Sequence, residues 1–363
     1  MQGLILMLIS IVKKNYLLPI VLLLLTLSWS CGDDDGNAAV AEPTVYIVGT
    51  ELVDEETTRI VYYEGDQMTT IAGATGQRII SRSITADENN VYVSGNITNN
   101  SGSEAAYWTN GVLTTLDRAG GIQSTCLGHE SWNGDVYVYG AIQQGNGFEQ
   151  AIYWKNGDPV LLESNFERTR VTGMALVNGQ VMAAGSASVS GAGSIPLVWE
   201  DGVVRQLNPG NTRGVRPLEI EEHQGDWYMI GLAAARTDFQ PVVCLWKNGI
   251  LTEVQSSLQV QILRDMEVTG YIPSVYYALE AVTTTGRRLL YRKDGQDVVV
   301  INDTTEPISL TDIEVINDQV YVLGNVQLSF DPPIIQPRLW INELEQPGQQ
   351  WPEFFQAFDM YVR

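Results

Sequence analysis

Apolar and polar residues alternate along most of the chain in short runs with a period of two, broken by clusters of turn-forming residues. This alternation predicts strands, because side chains on an extended backbone point to opposite faces in turn. One stretch shows the pattern best: VYVYG from Val136, a polar interval, then AIYWKNG ending at Gly157. The β-branched and aromatic residues of VYVYG suit a strand. AIYWKNGDPVLLE reads as strand, Asn-Gly turn, strand, and that turn flanked by hydrophobics is the strongest short-range hairpin signal.

The unit recurs. The glycine closing VY-x-x-G stands at Gly49, Gly95, Gly140, Gly185, Gly231 and Gly324, with Leu279 in its place in one degenerate copy, at intervals of 45 to 48 residues. The turn glycine of W-x-N/D-G stands at Gly65, Gly111, Gly157, Gly202, Gly249 and Gly295, with Glu343 closing the seventh copy, 16 to 19 residues behind the first series. Two series in phase over seven copies mark a repeat architecture. A further strand lies upstream of the VY pair: SITAD (83–87), GMALV (173–177), EIEEH (219–223), MEV (266–268) and DIEVI (312–316). Four short strands per period of roughly 45 residues match a propeller blade. We call them A (the upstream strand), B (VY-x-x-G), C (through the tryptophan) and D (after the turn). Trp108, Trp154, Trp199, Trp246 and Trp340 precede the turn at one offset and read as packing residues between neighbouring sheets.

The expected fold is therefore all-β, a seven-bladed β-propeller of four-stranded blades over residues 44–363. The first copy begins at its B strand, while AFDMYVR (357–363) reads as an A strand with no B strand after it. The C-terminal strand is thus expected to join the N-terminal blade and close the ring, which removes an open sheet edge.

Residues 1–30 read as a signal peptide, with Lys13 and Lys14 ahead of an apolar core of 11 residues, Leu17–Leu27. That core is too short to span a bilayer, which needs about 20 apolar residues. LTLSWSC, ending in Cys31, resembles the lipobox of bacterial lipoproteins, whose cysteine is lipidated after cleavage. GDDDG (32–36) is similar to the acidic signal that sends some Gram-negative lipoproteins to the outer face of the outer membrane. The resemblance implies lipidation of Cys31, an acidic flexible tether over 31–43, and an outer-membrane lipoprotein exposed at the cell surface or otherwise facing the periplasm.

Charge narrows the partners. Without Lys13 and Lys14, 19 basic residues face 43 acidic ones, a formal net charge of −24. Such a chain is repelled by nucleic acid and by anionic lipid headgroups, so membrane contact is expected through the lipid anchor only. Cys126 and Cys244 fall in different strand types of different blades and read as small buried hydrophobes. AYWTNGVLTTLD, AIYWKNGDPVLLE and PLVWEDGVVRQLN, each followed by a V-x-x-x-G strand, resemble the HAF-type repeat (A-x-x-W-x-N-G) of bacterial extracellular proteins. That family implies a secreted β-rich repeat protein and brings no defined activity or site residues.

Catalytic signals are sparse. His129 and His223 lie near A strands of different blades, without metal-ligand spacing and without a G-x-S-x-G nucleophile elbow. The most suggestive constellation is acidic. Aligned on the following VY, the A strands carry an apolar residue at one position (Ile84, Met174, Ile220, Val268, Ile313, Met360, with His129 the exception) flanked by polar ones. In a propeller the A strand lines the central channel, so the flanking residues point into it. Glu219, Glu221, Glu267, Asp312, Glu314 and Asp359 are then expected to make a one-sided acidic channel across blades five, six, seven and one. It could hold a cationic ligand group or a hard cation such as Ca²⁺. The variable B–C connections, four of them polar and Gly-rich and the one at 326–337 carrying prolines, hold Phe148, Phe239 and Phe330 and offer a second surface. The reading is a lipid-anchored, extracytoplasmic, monomeric propeller that serves as a non-catalytic binding or scaffold protein for a protein or glycan partner. The alternative is a propeller-type glycan lyase or hydrolase using channel-mouth carboxylates.

Overall fold

In the computed structural model, residues 42–363 are described except 55–56, 192, 255–258, 283–286, 305–306, 331–332, 348–350 and 353–354. The expected signal peptide, Cys31 and nearly all of the tether lie outside the described residues. Among the described residues, twenty-eight strands assemble into seven antiparallel four-stranded sheets. Each sheet is one blade of a seven-bladed β-propeller, and six blades run A to D in chain order. Blade one takes its A strand, Phe355–Val362, from the far end of the chain. That strand pairs with Val45–Leu52 through Val45↔Val362, Ile47↔Met360 and Glu51↔Phe355. Thr44 and Arg363 exchange both backbone hydrogen bonds, at 2.8 and 3.1 Å, so the two ends of the ring are bonded to each other.

The turns explain the sequence motif. In blade three, Asn156 and Gly157 sit at φ 52° and 95°, as a tight hairpin turn requires. Asn156 also accepts the Val136 amide on its Oδ1 at 2.8 Å, tying the C–D turn to the start of the B strand. Asn110, Asn248, Asp294 and Asn342 repeat that bond in their own blades. This second task explains why the position takes Asn or Asp.

The core is not one mass but seven clusters, each seated between consecutive blades. All five repeat tryptophans lie in these clusters and are buried. Three of them also donate an indole N–H to the connection that leaves the preceding blade: Trp154 to Asp117 O (2.6 Å), Trp199 to Glu163 O (3.0 Å) and Trp246 to Asn208 O (3.2 Å). Cys126 and Cys244 are buried and not joined in a disulfide, as the sequence suggested.

The A strands begin earlier than the sequence segments implied, for example Arg78–Ala86 and Thr212–His223. Every A strand carries a bulge at the same place, opposite the residue that closes VY-x-x-G or next to it. At Gly140 an added Cβ would stand 2.0 Å from Thr125 O, and at Gly185 2.0 Å from Arg170 O. The repeated glycine thus makes room for the A-strand backbone where it bulges toward B.

Candidate functional site

The bulge aims the innermost strand at the ring axis. Just past it, each A strand places a residue against the middle of its B strand: Ile84↔Val93, His129↔Val138, Met174↔Ala183, Ile220↔Met229, Met266↔Tyr277, Ile313↔Val322 and Met360↔Ile47. All seven are buried between blades. Their two neighbours face the other way, into a central cavity of about 820 Å³.

All six expected carboxylates, Glu219, Glu221, Glu267, Asp312, Glu314 and Asp359, line this cavity. Two more join them. Asp265 was missed because the A–B turn of blade six is two residues longer than the others. That length moves the register, so Met266 rather than Val268 takes the buried position and Asp265 and Glu267 flank it. Thr269 accordingly falls outside the flanking pair. Glu130 was missed because its buried neighbour is His129, which hid the apolar pattern. Eight carboxylates at these flanking positions, from blades three, five, six, seven and one, therefore converge on one space, and Glu222 is a ninth in its lining. The eight form two layers, with Asp359, Glu219, Asp265 and Asp312 in the first and Glu130, Glu221, Glu267 and Glu314 in the second. Blades three and four contribute only Gly128 and Gly173 to the first layer, and Glu219 Oε1 and the Tyr139 hydroxyl fill the space that side chains would take there.

Several of these groups have structural work. The inner edge of each A strand has no further strand to pair with, so its amides need other acceptors. Asp359 Oδ2 accepts the Ile84 amide of blade two at 2.7 Å, and Asp312 Oδ2 accepts the Met360 amide of blade one at 2.7 Å. The Ile313 amide of blade seven is taken by its own neighbour, Asp312 Oδ1, at 2.9 Å. Glu221 Oε2 takes the Val268 amide of blade six at 2.9 Å. Asp359, Asp312 and Glu221 thus tie blade one to two, seven to one and five to six. Glu130, Glu267 and Glu314 accept no hydrogen bond among the described residues.

Electrostatics sets these carboxyls apart. Burial, reinforced by Asp359, Asp265 and Glu267, pushes Glu130 up to about 8. Burial and the charge of Asp265 push Glu267 up to about 8. Asp359 rises to about 7, mostly through burial, although the Ile84 amide opposes the rise. Glu219, Glu221, Asp312 and Glu314 are all held well above the ordinary carboxylate range by burial and by one another. Cationic side chains enter only at the bulge positions, where Arg82 and Arg264 line the same cavity. Among the described residues, no three His, Cys, Asp or Glu side chains gather closely enough to hold one metal ion.

His129 is a satisfied core residue. Its ring lies within 3.0 Å of both Ser94 Oγ and Thr85 Oγ1, and burial lowers its pKa to about 3. His223 sits at a turn, with Nε2 2.7 Å from Gly270 O. Among the described residues, neither histidine is paired with a carboxylate.

Fold and cavity together define a seven-bladed β-propeller with a one-sided acidic channel. No protein-family model matches the chain. No curated protein matches it either. Among solved structures, it is similar to the β-propeller domain of the trilobed protease from Pyrococcus furiosus, at 11% identity over 71% of this chain and 78% of that one, with a TM-score of 0.46. It is also similar to a TolB structure from Agrobacterium tumefaciens, at 8% identity over 71% and 87%, with a TM-score of 0.44. A thermostable family-43 glycoside hydrolase matches at 14% identity over 64% and 96%, with a TM-score of 0.41. Likenesses this distant carry no activity across to this chain.

Proposed function

We propose that this chain is an extracytoplasmic binding propeller, lipid-anchored at Cys31 on the outer membrane, that takes a cationic group of its partner into the central channel. The observation that carries the proposal is the convergence of eight carboxylates, all with raised proton affinity, on a single cavity. Each additional negative charge there is costly because the neighbours repel it and burial strips its water. An ammonium or guanidinium group entering the channel relieves that repulsion. A bare Ca²⁺ ion is the competing occupant. The HAF-like character of the repeats fits the same surface role.

Titration calorimetry at about pH 8 with trilysine, CaCl₂ and triglutamate tests this reading. Trilysine is expected to bind, triglutamate is not, and Glu130→Gln with Glu314→Gln is expected to weaken trilysine about tenfold or more. Loss of palmitate labelling in Cys31→Ala cells checks the anchor.

A second reading rests on Glu130 and Glu267, which keep their protons up to about pH 8 and could act as proton donors. In that case the propeller cleaves a glycan by hydrolysis or elimination. A polysaccharide turnover screen comparing the parent protein with Glu130→Gln, Glu219→Gln, Glu221→Gln and Glu267→Gln tests it, and an inactive parent protein ends it.

A further inference from the structure

A second cavity, of about 470 Å³, opens between the B–C hairpins of blades four and five, over the start of the A strand of blade five. Its lining differs in kind from the channel. Arg213 and Arg216 contribute to it and no carboxylate does, in a chain where acids outnumber bases two to one. Among the described residues neither arginine has an ion-pair partner. The third arginine nearby, Arg236, is engaged: its Nε donates to Thr212 O at 3.0 Å.

Two facing glycines form part of the cavity floor. Gly193 and Gly214 sit at φ 77° and 63°, and a Cβ on Gly193 would stand 3.6 Å from the Gly214 Cα. A Cβ on Gly214 would meet nothing within 4 Å and would project into open space. Beside this floor stands Phe239, 54% exposed, with a backbone φ of 60° that an aromatic residue rarely adopts. Its amide is tied to Ala235 O at 3.1 Å, which fixes the turn that presents the ring. The Arg213 guanidinium lies 3.8 Å from the ring centroid. Stacking of that kind fixes the plane of the guanidinium and leaves its N–H edges available for a ligand. Blade three offers a contrast: Arg168 covers Phe148 at 4.8 Å, but that ring is half-buried.

We infer that this cavity binds an acidic sugar, with the hexuronate carboxylate on Arg213 and Arg216 and the apolar face of the pyranose ring against Phe239. A planar guanidinium fork matches a carboxylate bidentately, and an exposed aromatic face suits the C–H face of a sugar ring. A free phosphate would use the arginines and leave the ring without purpose. The rest of the molecule is acidic, but at physiological ionic strength charges farther away than about 8 Å are largely screened. The site is independent of the central channel and of its proposed cationic occupant.

Calorimetry with hexamers of galacturonate, mannuronate and glucuronate, each paired with its fully methyl-esterified form, tests the inference. At least one acid form is expected to bind, and its ester about tenfold more weakly. Arg213→Gln and Arg216→Gln should each weaken the acid form about tenfold, and Arg213→Lys should restore only part, since a point charge lacks the fork. Phe239→Asn keeps a residue that tolerates the left-handed backbone and removes the ring, so it should weaken acid and ester alike. Arg168→Gln, which disturbs the Arg168–Phe148 pair of blade three away from both cavities, should bind as the parent does. The inference is overturned if none of the three acids binds, if Arg216→Gln and Phe239→Asn bind unchanged, or if hexaglutamate peptide binds as tightly as the best uronate.

Discussion

Single residues in this repeat are chosen by what lies across from them rather than by their own strand. Gly140 is a glycine because Thr125 O occupies the place of its Cβ. Backbone cannot swing aside as a side chain can, so Gly140→Ala is expected to cost about 3 kcal/mol. Leu279 holds the equivalent position in blade six, and Leu279→Ala there should behave as an ordinary loss of buried methyls, about 2–5 kcal/mol without a change in the bulge. Urea denaturation of the two variants, with amide exchange across the A–B pair, separates the mechanisms. The glycine was legible as a periodic mark, but its reason was not, because the bulge lies upstream, between Cys126 and Gly128 in the case of Gly140, and leaves no residue signature. The tryptophans divide in the same way. Their packing role follows from periodicity, whereas the carbonyls that receive their indole N–H groups come from the preceding blade. His129 stood out as a polar residue in an apolar slot, and only the folded ring shows that Ser94 and Thr85 flank it.

Among the elements, the strand Phe355–Val362 has the largest consequence, since it completes blade one from the far end of the chain. Its closure was readable in AFDMYVR because the first repeat lacked an A strand. What the sequence did not show is the lock. The Phe355 ring is fully buried and lies where a Cβ on Gly49 would be, at 2.3 Å. It also packs edge-on against Tyr63, with centroids 5.4 Å apart. Phe355→Ala should therefore cost about 3–5 kcal/mol and loosen the ring at this seam before elsewhere. Hydrogen exchange should show Val45–Leu52 losing protection first, while blades three to five keep theirs. Equal loss in all blades would mean that closure does not depend on this ring. The A strand of blade six shows the converse failure of sequence reading, because two added turn residues displaced the alignment and hid Asp265.

At the scale of the whole molecule, the channel couples stability to pH. Glu130 and Glu267 keep their protons up to about pH 8 when folded and lose them near 4.5 when unfolded. Folding therefore takes up protons between these values. The stabilisation is full below about pH 4.5 and drains away as pH rises through 8. His129 works in the opposite sense: neutral down to about 3 when folded, against 6.5 unfolded, it stabilises above 6.5 and costs stability as pH falls toward 3. Eight carboxylates against one histidine, with Arg82 and Arg264 the only cationic side chains lining the space, make the first effect dominant. Tm is expected to fall by several degrees between about pH 5 and pH 8, and Glu130→Gln with Glu267→Gln should flatten that slope. Scanning calorimetry across the range decides it, and a Tm that climbs toward pH 8 would contradict the account.

The doubly bonded pair of Thr44 and Arg363 gives the wheel no privileged origin. The break between them amounts to one more turn that happens to lack a covalent link. A chain rejoined there and cut at another hairpin, such as Asn133–Gly134, would keep every blade interface intact. The point at which the chain enters the wheel is thus not dictated by the forces that hold the sectors together.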